Sequence, residues 1–251
     1  TGSARRLSGI MINADVVKNE IIAHAVAACH LHDGVQTIIE IGGQDSKLII
    51  IRDSIPVDFA MNTVCAAGTG SFLDHQAIRL GLPIEEFGKL ALKAHNPVHI
   101  ASRCTVFAES DMIHKTQLGI GRNDIVAGLC EAIVRNYLNV LAKGKDMKSL
   151  ILFQGGVAAN IGVKVAFEKA LGMSIEVPEY FLVMGAIGAA LLARFQMQGP
   201  TKFIGFDRSV DQEFQSRGFE CPDCPNNCEI VEAVRDGEVV ARYGSRCGKW
   251  E

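Results

Sequence analysis

Residues 37–61 of the chain read TIIEIGGQDSKLIIIRDSIPVDFAM. Three runs rich in apolar and β-branched residues, at 37–41, 47–51 and 55–61, are separated by short polar turns. Runs of this length and composition, bounded by turn residues, are typical of β-strands. The stretch therefore predicts an antiparallel meander of three strands.

The residues around the meander have the helical spacing of apolar side chains. We predict one helix before the meander and four after it, at 14–31, 69–80, 84–94, 106–118 and 123–144. From residue 150 strands and helices alternate, at 150–153, 160–171, 175–177 and 185–196. A meander followed by α-β-α-β-α is the element order of a ribonuclease-H-like unit, and two such units side by side form the actin-like ATPase fold. We therefore predict an α/β protein of this fold class.

The element order divides the chain into three segments. Residues 1–35 are predicted to be the end of a first ribonuclease-H-like half, and residues 36–198 a complete second half. Residues 199–251 are predicted to be a linker and a small cysteine-rich β-hairpin tail. Because only the last helix of the first half is recognisable, we expect that half to be truncated and the chain to be a fragment of a longer protein.

Composition excludes several classes of protein. Apolar residues make up 48% of the chain, which is too many for a disordered protein. The formal net charge of −3 predicts no surface for nucleic acid, and no apolar run reaches the roughly 18 residues of a membrane span. The eight cysteines lack the even spacing of a secreted disulfide scaffold. We therefore expect a cytoplasmic protein whose cysteines are free thiols or metal ligands.

The first glycine turn, GGQDSK at residues 42–47, joins the first two predicted strands. The adjacent Gly42 and Gly43 allow the backbone to approach a phosphate and to direct N–H groups toward it. Gln44 and Asp45 could hold a metal-bound water or position an attacking water. An ordinary hairpin turn is the alternative interpretation of a Gly-Gly pair on its own.

A second glycine turn, FQGGVAAN at residues 153–160, ends a predicted buried strand and opens a helix. This arrangement suits a purine that rests on a glycine-floored pocket near a helix N-terminus. The two glycine turns occur in order, and the glycine- and alanine-rich helix predicted at 185–196 follows them. That order matches the second phosphate motif, the adenosine motif and the second connecting helix of actin-like ATPases.

Cys65 and Cys104 each lie shortly before a predicted helix. A helix N-terminus and a nearby arginine, here Arg103, favour the thiolate, which is the form that ligates iron. A small buried hydrophobic residue is the other interpretation of each cysteine, and we adopt it for Cys29 and Cys130 on apolar helix faces.

Three stretches together resemble the BadF/BadG-type ATPase family: GGQDSK at 42–47, CAAGTGSF at 65–72 and CTVFAES at 104–110. The likeness covers about residues 1–197. Members of this family include activators of 2-hydroxyglutaryl-CoA dehydratase and the ATPase subunits of benzoyl-CoA reductase. The resemblance implies a cytoplasmic activator in an anaerobic organism.

The resemblance also implies cofactors and partners. Cys65 and Cys104 of two chains would bind one [4Fe–4S] cluster across a homodimer, and a count of the thiolates agrees, because a cubane needs four. MgATP hydrolysis would drive a low-potential electron into a 2-hydroxyacyl-CoA dehydratase or a benzoyl-CoA reductase-like partner. The implied phosphate residues are Gly42, Gly43, Gln44, Asp45 and Ser46, with Gly68, Thr69 and Gly70 closing the site. The implied adenosine residues are Gly155, Gly156 and Asn160.

The sequence departs from the family at its beginning. The Asp-x-Gly-Ser-type turn of the first phosphate loop is absent from these residues, so the sequence does not predict whether this chain alone hydrolyses ATP. The cysteine-rich tail resembles the segment that follows the ATPase unit in longer tandem activators of the family. Glu20 and His24, one helical turn apart, could form a hydrogen-bonded pair at the nucleotide cleft, but we adopt the other interpretation, a structural role.

The tail contains a third set of cysteines around an Asp-Gly pair that predicts a hairpin at 236–237. The set follows the pattern C-x2-C-x3-C before the hairpin and Cys-Gly after it: Cys221, Cys224, Cys228 and Cys247. Four thiolates around a hairpin suit tetrahedral zinc, and they suit a second [4Fe–4S] cluster equally well.

Two other functions fit the same residues. One is a sugar- or acid-kinase-like ATPase that uses the nucleotide cleft without a cluster. The other is a non-catalytic module, in which a degenerate ATPase half and a zinc-binding tail only bind a partner.

Overall fold

The computed structural model describes residues 1–62, 65–210 and 213–250. It divides into two compact units, Thr1–Glu20 with Ala189–Glu251, and Ile21–Gly188. The three predicted segments, 1–35, 36–198 and 199–251, stay a prediction. Residues 63–64, which lie just before Cys65, and residues 211–212 and 251 of the predicted tail segment fall outside the described residues.

The larger unit is built on a mixed sheet. Its strands are β1 (Thr37–Ile41), β2 (Ser46–Arg52), β3 (Ile55–Asn62), β4 (Ile151–Gln154) and β5 (Ile175–Glu176). They lie in the order β3-β2-β1-β4-β5 within the described part of this unit. The first three strands are antiparallel neighbours, whereas β4 runs parallel to β1 and β5 parallel to β4. The predicted meander and the two later strands are therefore confirmed.

The turn between β2 and β3 shows why the meander forms. Asp53 and Ser54 both have positive φ angles, of 51° and 62°. Two central residues of this kind match the right-handed twist of the flanking strands in a tight hairpin, and aspartate tolerates the conformation better than most residues.

The helices agree with most of the predicted ones. Their bounds are α1 Arg5–Met11, α2 Glu20–Leu31, α3 Gly70–Leu80, α4 Ile84–Ala91, α5 Thr105–Gln117, α6 Arg122–Tyr137, α7 Ile161–Leu171, α8 Met184–Gln196 and α9 Phe206–Val210. The helix predicted at 14–31 begins only at Glu20, and α1 lies before it. Asn13, with a φ of 51°, follows the end of α1 in a left-handed conformation that does not continue a helix.

Two apolar clusters cover the two faces of the sheet in the larger unit. One packs α3 to α7 against it, with Phe87, Tyr137 and Phe167 among its fully buried side chains. The other includes Ile21 and Ala25 of α2 and Met184 of α8. The segment Arg122–Ala142, which is α6 and the π-helix that continues it, is long and apolar enough to span a membrane, but 67% of its most apolar window is buried. It is a core helix by this measure.

The smaller unit contains a three-stranded antiparallel sheet of β6 (Gln215–Glu220), β7 (Glu229–Arg235) and β8 (Glu238–Tyr243). The predicted hairpin is confirmed, because β7 and β8 pair across a turn in which Asp236 and Gly237 have φ angles of 52° and 82°. Strand β6 was not predicted. Its sequence, QSRGFE, is polar and largely exposed, so it has no alternation of apolar residues to reveal it.

Candidate functional site

The two glycine turns lie side by side in the larger unit. Strands β1 and β4 are parallel neighbours, and Glu40 is the register partner of Gln154. The turn at Gly42 follows the end of β1, and the turn at Gly155 follows the end of β4. The carboxyl ends of adjacent parallel strands are the common place for ligands in open α/β sheets.

A cleft of about 510 Å³ opens at these turns. This volume is within the range of small-molecule sites, roughly 300–1,000 Å³. Five of the predicted nucleotide residues line it: Gly42, Gly43, Gly70, Gly156 and Asn160. The sequence analysis missed the contribution of α3 and α4, which add Asp74, Glu85 and Lys89 to the lining. Nothing in the local pattern of these residues distinguishes them from ordinary surface charges.

Two glycines give the cleft its open floor. A Cβ placed on Gly43 or on Gly156 would meet no atom within 4 Å among the described residues. Gly155 has a different role, because its φ is +86° and a Cβ there would lie 2.4 Å from the Ile41 carbonyl oxygen. It allows the backbone after β4 to pass close to the end of β1.

The first glycine turn is hydrogen bonded to the start of α3. The N–H groups of Gly70 and Ser71 donate to the carbonyls of Gly42 and Gly43, both at 2.8 Å. Within the turn, the Gly42 N–H donates to the Asp45 carbonyl at 3.0 Å. The beginning of α3 and the predicted phosphate turn therefore form one connected backbone structure.

A buried ion network, which the sequence analysis also missed, lies beneath the turns. The Lys47 ammonium donates to the Glu40 carboxylate at 2.9 Å and to the Asp45 carboxylate at 2.8 Å. Glu40 Oε1 would lie 2.8 Å from a Cβ on Gly155 and 3.4 Å from one on Gly42, so this carboxylate lies between the two turns. The alternation of apolar and polar residues in β1 and β2 does not indicate this network, because charged residues in such strands usually face solvent.

The surroundings of this network shift the pKa values of Glu40 and Lys47. Burial raises the pKa of the Glu40 carboxyl, although the Lys47 ammonium acts in the opposite direction. For Lys47, burial disfavours the charged form, but Glu40 and Asp45 outweigh burial and raise the pKa of the ammonium. Lys47 is thus held as a cation that fixes the predicted catalytic residue Asp45.

The remaining predicted phosphate residues do not line the cleft. Gln44 is exposed, whereas Ser46 is buried in β2, and its hydroxyl has no hydrogen-bond partner among the described residues. The Thr69 hydroxyl donates to the Ala66 carbonyl at 2.8 Å, inside its own loop. Gly68 is buried against two asparagine side chains. Whether any of these residues contacts a nucleotide stays a prediction.

Asn160 caps α7 at the adenosine end of the cleft. Its Oδ1 accepts hydrogen bonds from the N–H groups of Gly162 and Val163, at 3.0 and 3.2 Å. Asparagine is among the preferred residues for this position. The Nδ2 atom is buried, without a partner among the described residues. The side chain therefore has an unused donor beside the cleft.

Glu20 and His24 have other partners than each other. Arg5 lies 3.3 Å from the Glu20 carboxylate, within the smaller unit. The His24 Nδ1 atom lies 2.8 Å from Gln154 Oε1, within the larger unit. The suggested pair is therefore replaced by two separate hydrogen bonds.

Cys65 and Cys104 are both half-buried and both precede a helical segment. Cys65 is the N-cap residue of the 3₁₀ turn Ala66–Gly68, and Cys104 is the N-cap residue of α5. Val106 and Phe107 in the first turn of α5 are 65% and 66% exposed, so apolar surface lies next to Cys104.

Cys29 and Cys130 are not part of this site. Burial raises the pKa of Cys130 to about 12 and also raises the pKa of the half-buried Cys29. Both thiols are disfavoured as thiolates, in agreement with their assignment to apolar helix faces.

The four tail cysteines differ in exposure. Cys221 is buried, and its N–H donates to the Cys228 carbonyl at 2.9 Å, while Cys224 and Cys247 are exposed. Among residues 1–62, 65–210 and 213–250, no group of three His, Cys, Asp or Glu side chains is arranged to hold a metal ion. The predicted ligand set is therefore not assembled in this structure.

Comparison with known proteins gives one family. A sequence model of the BadF/BadG/BcrA/BcrD ATPase family matches residues 1–193. The chain is 38% identical over 194 residues to the (R)-2-hydroxyglutaryl-CoA dehydratase activating ATPase of Acidaminococcus fermentans, covering 77% of this chain and 73% of the relative. It is 36% identical to the 2-hydroxyisocaproyl-CoA dehydratase activator of Clostridioides difficile, covering 72% of this chain and 68% of the relative.

Solved structures agree with the sequence comparison. The activator of the 2-hydroxyisocaproyl-CoA dehydratase from Clostridium difficile, with bound ADPNP, superimposes with a TM-score of 0.69 at 32% identity and covers 75% of this chain and 73% of its own. Component A of the Acidaminococcus fermentans dehydratase gives a TM-score of 0.67 at 37% identity, covering 70% and 67%. The predicted α/β fold class is confirmed by these matches.

Proposed function

Because the chain belongs to the BadF/BadG/BcrA/BcrD ATPase family, we propose that it is an ATP-dependent activator that delivers a low-potential electron to a partner enzyme. One observation carries this proposal. The turn at Gly42 and Gly43, which lines the cleft, is hydrogen bonded to the first residues of α3, and Cys65 lies a few residues before that helix. A change in the turn on nucleotide binding or hydrolysis would therefore be transmitted along a short backbone path to Cys65.

The cleft would bind ATP or ADP with magnesium. A relative that contains bound ADPNP supports this part of the proposal. The phosphates would contact the backbone at Gly42 and Gly43, and the purine would rest on Gly156, because both glycine positions open onto the cleft. Asp45, fixed by Lys47, and Gln44 would orient a metal-bound or attacking water.

Cys65 and Cys104 fit the requirements of an iron–sulfur ligand set. Their thiols are partly accessible, and each cysteine is the N-cap residue of a helical segment. A [4Fe–4S] cluster bound there would supply a one-electron donor of low potential. Because such a cluster takes four thiolates and one chain offers two at this site, the active form would be a homodimer. The exposed Val106 and Phe107 beside Cys104 would be covered by the second chain.

The electron acceptor would be a 2-hydroxyacyl-CoA dehydratase or a related reductase in the cytoplasm of an anaerobic organism. The relatives with this kind of partner are named as activators of 2-hydroxyglutaryl-CoA and 2-hydroxyisocaproyl-CoA dehydratases.

The tail would hold a further metal centre, either zinc or a second cluster, on its four cysteines. Cys221 and Cys228 already lie opposite each other through their backbone hydrogen bond of 2.9 Å. The Trp250 indole N–H donates to Cys221 Sγ at 3.3 Å, so the residues just after Cys247 lie near the first cysteine. Binding would require the exposed Cys224 and Cys247 to turn toward this pair.

The proposed function is tested by anaerobic purification of the chain, followed by measurement of iron, acid-labile sulfide and visible absorbance. Cys65→Ser and Cys104→Ser should each abolish the brown chromophore and weaken dimerisation, whereas Cys29→Ser should do neither. All of these variants are made in a protein whose four tail cysteines are replaced by serine, so that a tail cluster does not mask the result. The proposal would be contradicted if the wild-type protein contained no iron, or if it transferred a phosphoryl group to a small acceptor.

A further inference from the structure

We propose that Asn136, near the end of α6, is a positioning residue that holds the Cys65 and Cys104 loops together across Gly68. This inference rests on the proposed cluster at these two cysteines and assigns a residue that controls its binding. Residue 136 lies in a helix with no predicted site residue, and it is separated from both cysteines by at least one complete helix.

The first contact of Asn136 is with the chain segment that leads to Cys104. Its Nδ2 atom donates to the Ser102 carbonyl at 2.6 Å. The preceding residue of α6, Arg135, donates from Nη2 to the Ile100 carbonyl at 2.7 Å. Two consecutive side chains of α6 thus fix the backbone directly before the N-cap residue of α5.

The second contact of Asn136 is with the loop that follows Cys65. A Cβ placed on Gly68 would lie 2.6 Å from Asn136 Oδ1 and 3.3 Å from Asn62 Nδ2. The first of these distances is too short for a real side chain, so this position requires glycine. The loop backbone therefore packs directly on the amide of Asn136.

Asn62 completes the arrangement from the other side of the loop. Its Nδ2 donates to the Cys65 carbonyl at 2.8 Å, and its Oδ1 accepts from the Cys65 N–H at 3.0 Å. One buried amide thus brackets Cys65, and a second buried amide, that of Asn136, connects the same loop to the segment before Cys104.

The energetic cost of burying the Asn136 amide supports a functional role for this residue. Asn136 Oδ1 is buried without a hydrogen-bond partner among the described residues, although buried polar atoms are normally satisfied. An apolar residue would fill a core helix position without that cost. The amide is explained if its donor is needed at Ser102 and its oxygen is needed as the surface against which Gly68 packs.

Asn136→Asp tests the inference, because it keeps the size of the side chain but removes the donor to Ser102. The matched control is Asn139→Asp, one turn further on and exposed. The full chain, with its four tail cysteines replaced by serine, is reconstituted anaerobically with iron and sulfide. The measurements are the rate of iron loss to a chelator and the electron paramagnetic resonance spectrum of the reduced protein. We expect Asn136→Asp to lose iron roughly 10- to 100-fold faster and to change the spectrum, as for other residues that orient metal ligands.

A purely structural role would lower the melting temperature of the metal-free protein and leave the spectrum of the loaded protein unchanged. That result would overturn the inference. If Asn136→Asp does not fold, Gly68→Ala is the second test of the inference. Its methyl group would push the loop that follows Cys65 away from the Asn136 amide, so iron should be lost as fast as expected for Asn136→Asp. Iron retention and spectra equal to those of Asn139→Asp would also overturn the inference. A wild-type protein that takes up no iron at Cys65 and Cys104 would instead overturn the proposed function, and this inference with it.

Discussion

The Tyr137 hydroxyl donates a hydrogen bond of 2.7 Å to the Lys47 carbonyl. Tyr137 directly follows Asn136 on α6, and Lys47 holds Asp45 and Glu40 beneath the glycine turns. Burial raises the pKa of the Tyr137 hydroxyl well above its usual value, so the group stays a donor at any physiological pH. The end of one helix therefore contacts both the cysteine loops and the strand that supports the nucleotide turn.

Tyr137→Phe should lower the free energy of unfolding by about 0.5–1.5 kcal/mol, because it removes one buried hydrogen bond and little else. Urea unfolding of the full chain measures the change. Tyr180→Phe, at a half-exposed position, is the matched control and should have almost no effect. Equal stability of Tyr137→Phe and the control would show that the hydrogen bond contributes nothing.

The local parts of this structure could be predicted from the sequence, and the non-local parts could not. The meander and the hairpin at Asp236 and Gly237 depend on neighbouring residues and on turn chemistry, so their signals are contained in short windows. The contact between Asn136 and Gly68 joins residues far apart in the chain, and no periodicity indicates it. Lys47 was similarly unrecognisable, because a lysine at a strand start is normally exposed.

Gly156→Val should weaken the binding of ATP and ADP by at least about tenfold, which corresponds to about 1.4 kcal/mol. The branched side chain would project into the open floor of the cleft, where the purine is proposed to rest. Isothermal titration calorimetry with the full chain measures the affinity. Gly218→Val is a suitable control, since it lies in β6 and its nearest neighbours are 3.9 Å from the added Cβ. Unchanged affinity in Gly156→Val would contradict the placement of the nucleotide.

Lys47→Met should destabilise the larger unit by about 3–5 kcal/mol near neutral pH, because it leaves the Glu40 carboxylate buried without its partner. The pKa of Glu40, already raised by burial, should then rise further. Above about pH 4.3, the Glu40 carboxyl of the folded variant would keep a proton that the unfolded chain releases. The loss in free energy of unfolding relative to the wild type should therefore be small in acid and grow as the pH rises.

Unfolding by urea at several pH values tests this dependence on Lys47. Lys145→Met is the control, because Lys145 pairs with an Asp58 carboxylate that is about half exposed, and its effect should be smaller than that of Lys47→Met. A deficit in Lys47→Met that does not vary with pH would show that Glu40 does not titrate in this way.

The tail from about Phe219 should fold only when its cysteines hold a metal centre. Its apolar core is small, with Cys221, Ile230, Ala233 and Val234 as its buried apolar residues, and domains below about 40 residues usually need a metal or disulfides. Binding of the metal would then supply the free energy of folding. Trp250 reports this state, because its indole N–H donates to Cys221 Sγ at 3.3 Å and its ring packs on Phe219 with centroids 5.1 Å apart.

Chelation should therefore expose Trp250, shift its fluorescence to the red and open the tail to protease, while the larger unit stays intact. Trp250 is the single tryptophan of the chain, so the signal is specific to the tail. Cys224→Ser and Cys247→Ser should reproduce the effect of the chelator without any chelator present, and Cys29→Ser should not. A metal-free tail that resists protease, with the fluorescence of Trp250 unshifted, would show that the four cysteines do not stabilise it.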